Sequence, residues 1–171
     1  MRPKGARARP TGNSTTHILR ASWKPRIYRD VEIESGASLR ALAEAIVASY
    51  EFDFDHAFGF YDKFGDAWPD AKEKYELFAD MEDGDSEAGS VARTAVGTAF
   101  PVVGKKLMFL FDYGDEWHFG VKLVRVSDRV EPGVRYPRVA ARQGEAPPQY
   151  PDIEDDWDDE DEDDENISGE P

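Results

Sequence analysis

FLFDYGDEWHFGVKL, residues 109–123, decides how this chain folds. Large apolar side chains recur at every second position on either side of an acidic, glycine-containing centre, the pattern of two β-strands joined by a turn. The spacing predicts strands at Lys106–Tyr113 and Glu116–Val126. Register then constrains the loop, because residues directly opposite one another share a face. A two-residue loop at Gly114–Asp115 sets Asp112 against Trp117 and Phe111 against His118, which mixes polar and apolar groups on both faces. A loop of three or five residues pairs Phe111 with Trp117, Phe109 with Phe119 and Leu107 with Val121. A slip by one residue would expose that apolar row, so an odd loop is expected. The same register sets Asp112 opposite Glu116, with His118 one step further on that face. Like charges directly opposed are unfavourable. Solvent, an arginine or a bound cation should compensate them.

Upstream of this hairpin, Thr16–Trp23 and Ile27–Glu34 read as two more strands with a turn at Lys24–Pro25. In the second, Ile27, Val31 and Ile33 alternate with Tyr28, Asp30, Glu32 and Glu34. Ser38 is a predicted N-cap for a helix spanning Ser38–Tyr50. Leu39, Leu42, Ala43, Ile46, Val47 and Tyr50 fall on one face of that helix, a stripe suited to packing on the sheet. His56–Tyr61 alternates as a strand, and a further strand is expected near Tyr75–Ala79. Met81–Gly89 is an acidic loop, and Val91–Phe100 holds a short second helix before Pro101. After Val126, prolines and glycines predict an extended segment across the surface and no further helix. The fold class is therefore α+β: an antiparallel-rich mixed sheet of about five to six strands, with the two helices on one face.

Charge divides the 171 residues into three parts. Residues 1–14 carry four basic and no acidic groups, residues 15–150 carry 17 and 23, and residues 151–171 carry none and 13. The expectation is a disordered basic head, a domain over 15–150 and a disordered acidic tail, since charge runs without apolar surface stay extended. The chain has no cysteine, which excludes disulfides and zinc–thiolate centres and fits a cytoplasmic setting. No apolar run approaches the roughly 20 residues of a membrane span.

The segment around DYGDEW resembles the Tyr-Asp-Phe-Gly-Asp-x-Trp signature of the plasmid pRiA4b ORF-3-like family, which includes TnpR-like passenger proteins of some insertion sequences. Trp23–Asp62 is similar to that family's hairpin, helix and strand, and EPGVRYPR (131–138) and GEAPPQYP (144–151) to its C-terminal segment. The resemblance implies an α+β fold with helices on one side of the sheet, a plasmid or mobile-element setting, and no established enzymatic activity. Many members continue after the double proline with an acidic residue, Asp and a Gly-Gly pair; here Gln149-Tyr150-Pro151 stands instead.

Four constellations carry candidate chemistry. Asp112, Asp115, Glu116 and His118 are oxygen and imidazole donors suited to a divalent cation such as Mg²⁺ or Mn²⁺, for hydrolytic use. Equally, Asp112 and Asp115 are turn residues that accept backbone N–H groups. Trp23 and Trp117 either stack on a ligand or pack as core and rim aromatics. Arg135, Tyr136 and Arg138 either grip a phosphate or carboxylate, or pin the C-terminal segment to the acidic turn. The head offers phosphate contacts, but the acidic domain and tail repel nucleic acid and favour basic protein partners. There is no Gly-rich phosphate loop, no nucleophile elbow and no serine-recombinase pattern. The expectation is a non-enzymatic interaction module that requires no cofactor.

Overall fold

Strands β1 (Thr16–Lys24) and β2 (Ile27–Glu34) pair antiparallel as their alternation requires, with Leu19 opposite Val31. The computed structural model describes residues 15–151. The expectations of a disordered head and tail therefore fall outside the described residues, apart from Pro151. Helix α1 (Leu39–Ser49) follows, with the Ser38 Oγ accepting from Ala41 N at 3.1 Å. Its stripe of Leu39, Leu42, Ala43, Ile46 and Val47 is buried completely. Each Leu or Ile removed from water in this way contributes about 1.5–3 kcal/mol.

The sheet grows from the middle outward. The hairpin β6 (Lys106–Phe111) and β7 (Trp117–Ser127) has the register expected, Phe111 opposite Trp117 and Phe109 opposite Phe119, across a five-residue loop. Strand β7 pairs with β1, and β6 with β3 (Phe58–Tyr61). Two short strands, β4 (Lys74–Glu76) and β5 (Gly89–Ser90), extend one side, and β8 (Arg138–Gln143) extends the other. The order is β5-β4-β3-β6-β7-β1-β2-β8. The β4–β5 pair is parallel and the rest antiparallel, so the sheet is mixed.

Eight strands replace the five to six expected. The segment after Val126 is extended as foreseen, yet it also donates an edge strand. Its sequence RVAARQ has no apolar alternation, because backbone bonds to β2 and polar side-chain bonds, not apolar packing, hold it in the sheet. β4 and β5 are too short to show a period.

α1 and the short α2 (Val96–Ala99) cover one face and enclose a core that includes Leu19, Val31, Ile33, Phe58, Phe109 and Phe119. A 3-10 turn at Gly65–Asp70 covers part of the other face, packing Trp68 over Tyr61, Met108, Leu110 and Tyr113. No helix among the described residues is long and apolar enough to cross a membrane.

Candidate functional site at the acidic turn

The turn between β6 and β7 gathers three separate stretches of sequence. At Asp112 and Glu116 the backbone leaves β geometry for the left-handed region, with φ of 62° and 52°. Aspartate tolerates that region because its side chain bonds locally. Here Asp112 Oδ1 accepts from the N–H groups of Gly114 at 2.9 Å and Asp115 at 3.2 Å, and Glu116 N closes the loop on Asp112 O at 2.7 Å. The turn-capping role of Asp112 is the one observed.

The residues before β3 lie against this turn. His56 Nε2 faces Asp112 Oδ2 at 3.4 Å, and its Nδ1 lies 2.7 Å from Asp55 Oδ1. With a carboxylate at each nitrogen, the doubly protonated ring is favoured. The hydrogen bond to Asp55 leads in raising the His56 pKa, with Asp112 and Asp115 adding charge attraction against a desolvation cost. The C-terminal segment completes the arrangement. Tyr150 donates to Asp55 Oδ2 at 2.7 Å, a bond that lowers the Asp55 pKa and pushes the Tyr150 phenol up to about 12. Gln149 bridges the backbone of Asp53, accepting from its N at 2.7 Å and donating to its O at 3.1 Å.

The four residues considered for metal binding do not converge. Asp112 is engaged by the turn and His56, Asp115 is exposed, and Glu116 accepts from Trp68 Nε1 at 3.3 Å. His118 stands opposite Leu110 with its Nε2 buried and without a hydrogen-bond partner among the described residues. Among the described residues, no group of three or more His, Cys, Asp or Glu side chains is placed to hold a metal ion. The expected register holds as far as Phe111 opposite Trp117, but Asp112 and Glu116 lie beyond the ladder, where the backbone turns left-handed and the alternation that would set them face to face ends.

Trp23 and Trp117 lie on the core side, ring centroids 5.9 Å apart, with Phe52 edge-on to Trp117 at 4.8 Å. Both are half-buried, and Trp117 Nε1 is enclosed without a hydrogen-bond partner among the described residues. The arginine segment goes elsewhere. Arg138 binds Glu32 Oε2 through Nε at 2.8 Å and Nη2 at 2.6 Å, while Tyr136 accepts from Glu131 N at 3.2 Å and Arg135 is exposed. Glutamine and tyrosine at 149–150, and not these arginines, tie the C-terminal segment to the turn.

Sequence reading missed a cleft beside the turn. Tyr113 bonds Tyr61 through their hydroxyls at 2.7 Å, and Tyr61 donates to Glu76 Oε1 at 2.8 Å. Burial pushes the Tyr113 phenol up to about 12 and raises that of Tyr61 further. Gly59 makes room for this pair, since a Cβ there would lie 2.7 Å from the Tyr61 hydroxyl and 2.9 Å from that of Tyr113. Beyond Glu76 a cleft of about 820 Å³ opens, lined by Lys74, Glu76, Phe78 and residues 81–87. The acidic composition of Met81–Gly89 was visible in sequence, but not its folding against β4.

The architecture matches a solved structure. The crystal structure of a protein of unknown function, MM3350 from Methanosarcina mazei Go1, superimposes with a TM-score of 0.61 at 20% identity, over 77% of this chain and 71% of that one. That likeness shows the fold alone. No curated protein matches the chain significantly. The model of the plasmid pRiA4b ORF-3-like proteins matches residues 15–160, taking in the hairpin, the turn and the segment that closes on it, and the chain belongs to that family.

Proposed function

We propose that this chain is a non-enzymatic accessory module that holds a basic, extended segment of a protein partner, in the cytoplasm and in a plasmid or insertion-sequence setting. The observation that carries this reading is the cleft beyond Glu76. Phe78 and Met81, 37% and 55% exposed, sit there among Glu82, Asp83, Asp85 and Glu87. None of those four carboxylates forms an ion pair among the described residues. Lysine and arginine side chains suit such a groove, because their apolar stems cover hydrophobic surface while their charged ends reach carboxylates. Methionine adapts its shape to varied partners. The 13 acidic residues of 151–171 add attraction of the same sign and speed encounter with a cationic segment.

Fluorescence anisotropy with a labelled Lys/Arg-rich peptide tests the proposal. The full chain should bind it in a salt-sensitive manner and ignore a neutral peptide of equal length. Combining Glu82→Gln, Asp83→Asn and Asp85→Asn should weaken binding about tenfold, or about 1.4 kcal/mol. Ending the chain at Pro151 should slow association more than it speeds dissociation. Equal binding of the neutral peptide, or indifference to the triple substitution, would refute the reading.

A further inference from the structure

A second opening, of opposite sign, lies on the outer face of the sheet, beyond the edge of the Gly65–Asp70 turn. Adjacent strands place Lys106 directly opposite Lys122, Lys122 opposite Arg20, and Arg20 opposite Asp30. Arg20 is neutralised, with Nε and Nη2 on the two Asp30 carboxylate oxygens at 2.7 and 2.8 Å. Lys106 and Lys122 have no carboxylate in ion-pair range among the described residues, although the chain carries 36 acidic residues. Two like charges held directly opposed across a strand pair repel. A ligand with two negative charges would reverse that cost.

The surroundings define the rest of the ligand. Gly120 lies two residues before Lys122 on the same face, and it leaves space above the strand into which Phe64 leans, 3.8 Å from where a Cβ would stand. Phe64 is 46% exposed and forms one wall of the cleft. Ser22, opposite Gly120, brings a hydroxyl to the same opening. The volume is about 250 Å³. That is below the roughly 300–1,000 Å³ of sites for drug-sized molecules, and admits one ring with one charged group.

We infer that this cleft binds a small organic phosphate carrying a single aromatic ring, the phosphate between Lys106 and Lys122 and the ring against Phe64. A phosphate monoester is close to doubly charged at neutral pH, which matches two opposed ammonium groups better than a carboxylate does. Ser22 adds a neutral donor, and Phe64 offers the offset or edge contact that aromatic rings prefer.

The test is a titration of the full chain, followed by the backbone amide signals of Phe64, Gly120 and Lys122 in a two-dimensional NMR spectrum. Phenyl phosphate should shift these signals saturably, while inorganic phosphate should move the same signals with about tenfold weaker affinity. Phe64→Ala should remove that difference. Lys106→Gln combined with Lys122→Gln should weaken phenyl phosphate at least tenfold and leave the remaining spectrum in place, since both lysines are exposed. The inference is overturned by the absence of a saturable shift, by binding that survives the double substitution, or by benzyl alcohol binding as well as phenyl phosphate. Tighter binding of a single-stranded oligonucleotide at the same amides would also overturn it, in favour of a nucleic-acid surface.

Discussion

Arg29 is 3% exposed and carries its charge into the protein with no carboxylate partner among the described residues. Carbonyl oxygens surround it instead: Ser49 at 3.0 Å, Tyr28 at 2.9 Å, Gln143 at 3.0 Å and Gly144 at 3.1 Å. Its guanidinium also lies 4.8 Å from the centre of the Tyr50 ring. Through this one side chain the end of α1, β2 and the end of β8 are joined. Arg29→Met keeps much of the volume but leaves those carbonyls without a donor, at about 1–3 kcal/mol for each one kept from water. Denaturant unfolding should show a loss above about 2 kcal/mol. A loss within about 0.5 kcal/mol, the range of ordinary surface substitutions, would show that the charge is not structural. His56 acts at the same scale through its proton. Its folded pKa is raised, so its contribution to stability is complete below the ordinary histidine value of about 6.5 and fades as pH climbs through the higher folded value. The melting temperature of the native chain should therefore fall relative to that of His56→Gln as pH increases from about 6.5. Parallel curves for the two proteins would mean that the bonds to Asp55 and Asp112 do not respond to protonation.

At the scale of elements, the β6–β7 turn depends on a side chain that caps its own loop while its backbone is left-handed. Asp112→Asn keeps both the acceptor oxygen and the tolerance of positive φ, whereas Asp112→Ala loses both. The alanine variant should be less stable than the asparagine variant by about 1–2 kcal/mol, a lost cap and a strained residue together. If the two variants melt together, the amide bonds of Gly114 and Asp115 contribute nothing. Added Mg²⁺ or Mn²⁺ should not raise the melting temperature of the native chain, because Asp112, Glu116 and Asp55 already receive protein donors. The same turn shows where sequence is informative. Phe109, Phe111, Trp117 and Phe119 must share a face to be buried, so register was legible from alternation alone. Asp112 and Glu116 lie just past the last ladder pair, where backbone sterics replace the period-two rule, and their divergence was not legible. Ser38 and the α1 stripe could be read because capping and the 3.6-residue period are local. β8 could not, since an edge strand held by backbone bonds and by Arg138 on Glu32 leaves no apolar signature. The contacts of Gln149 with Asp53 and of Tyr150 with Asp55 span 96 and 95 positions, and no local pattern encodes them.

The whole molecule separates charge by region more than by residue count. Its net charge of −15 falls to −2 when the chain ends at Pro151; residues 15–151, with 17 basic and 23 acidic groups, are only mildly acidic and display local fields of both signs. One cleft is rimmed by Glu82, Asp83, Asp85 and Glu87, and the other by Lys106, Lys122 and Arg20. A long acidic tail strengthens the field at the first and opposes an anion approaching the second. Truncation should therefore move the two affinities in opposite directions: weaker for a basic peptide, stronger for phenyl phosphate. Both shifts should shrink as salt rises toward about 0.5 M, where the screening length falls well below the roughly 10 Å found at 0.1 M. The core itself should be indifferent, because every buried residue of the principal cluster lies between Leu19 and Leu123. A melting temperature that drops sharply on truncation would mean that the tail holds the domain together. Affinities that move in the same direction would mean that it acts through shape and not through charge.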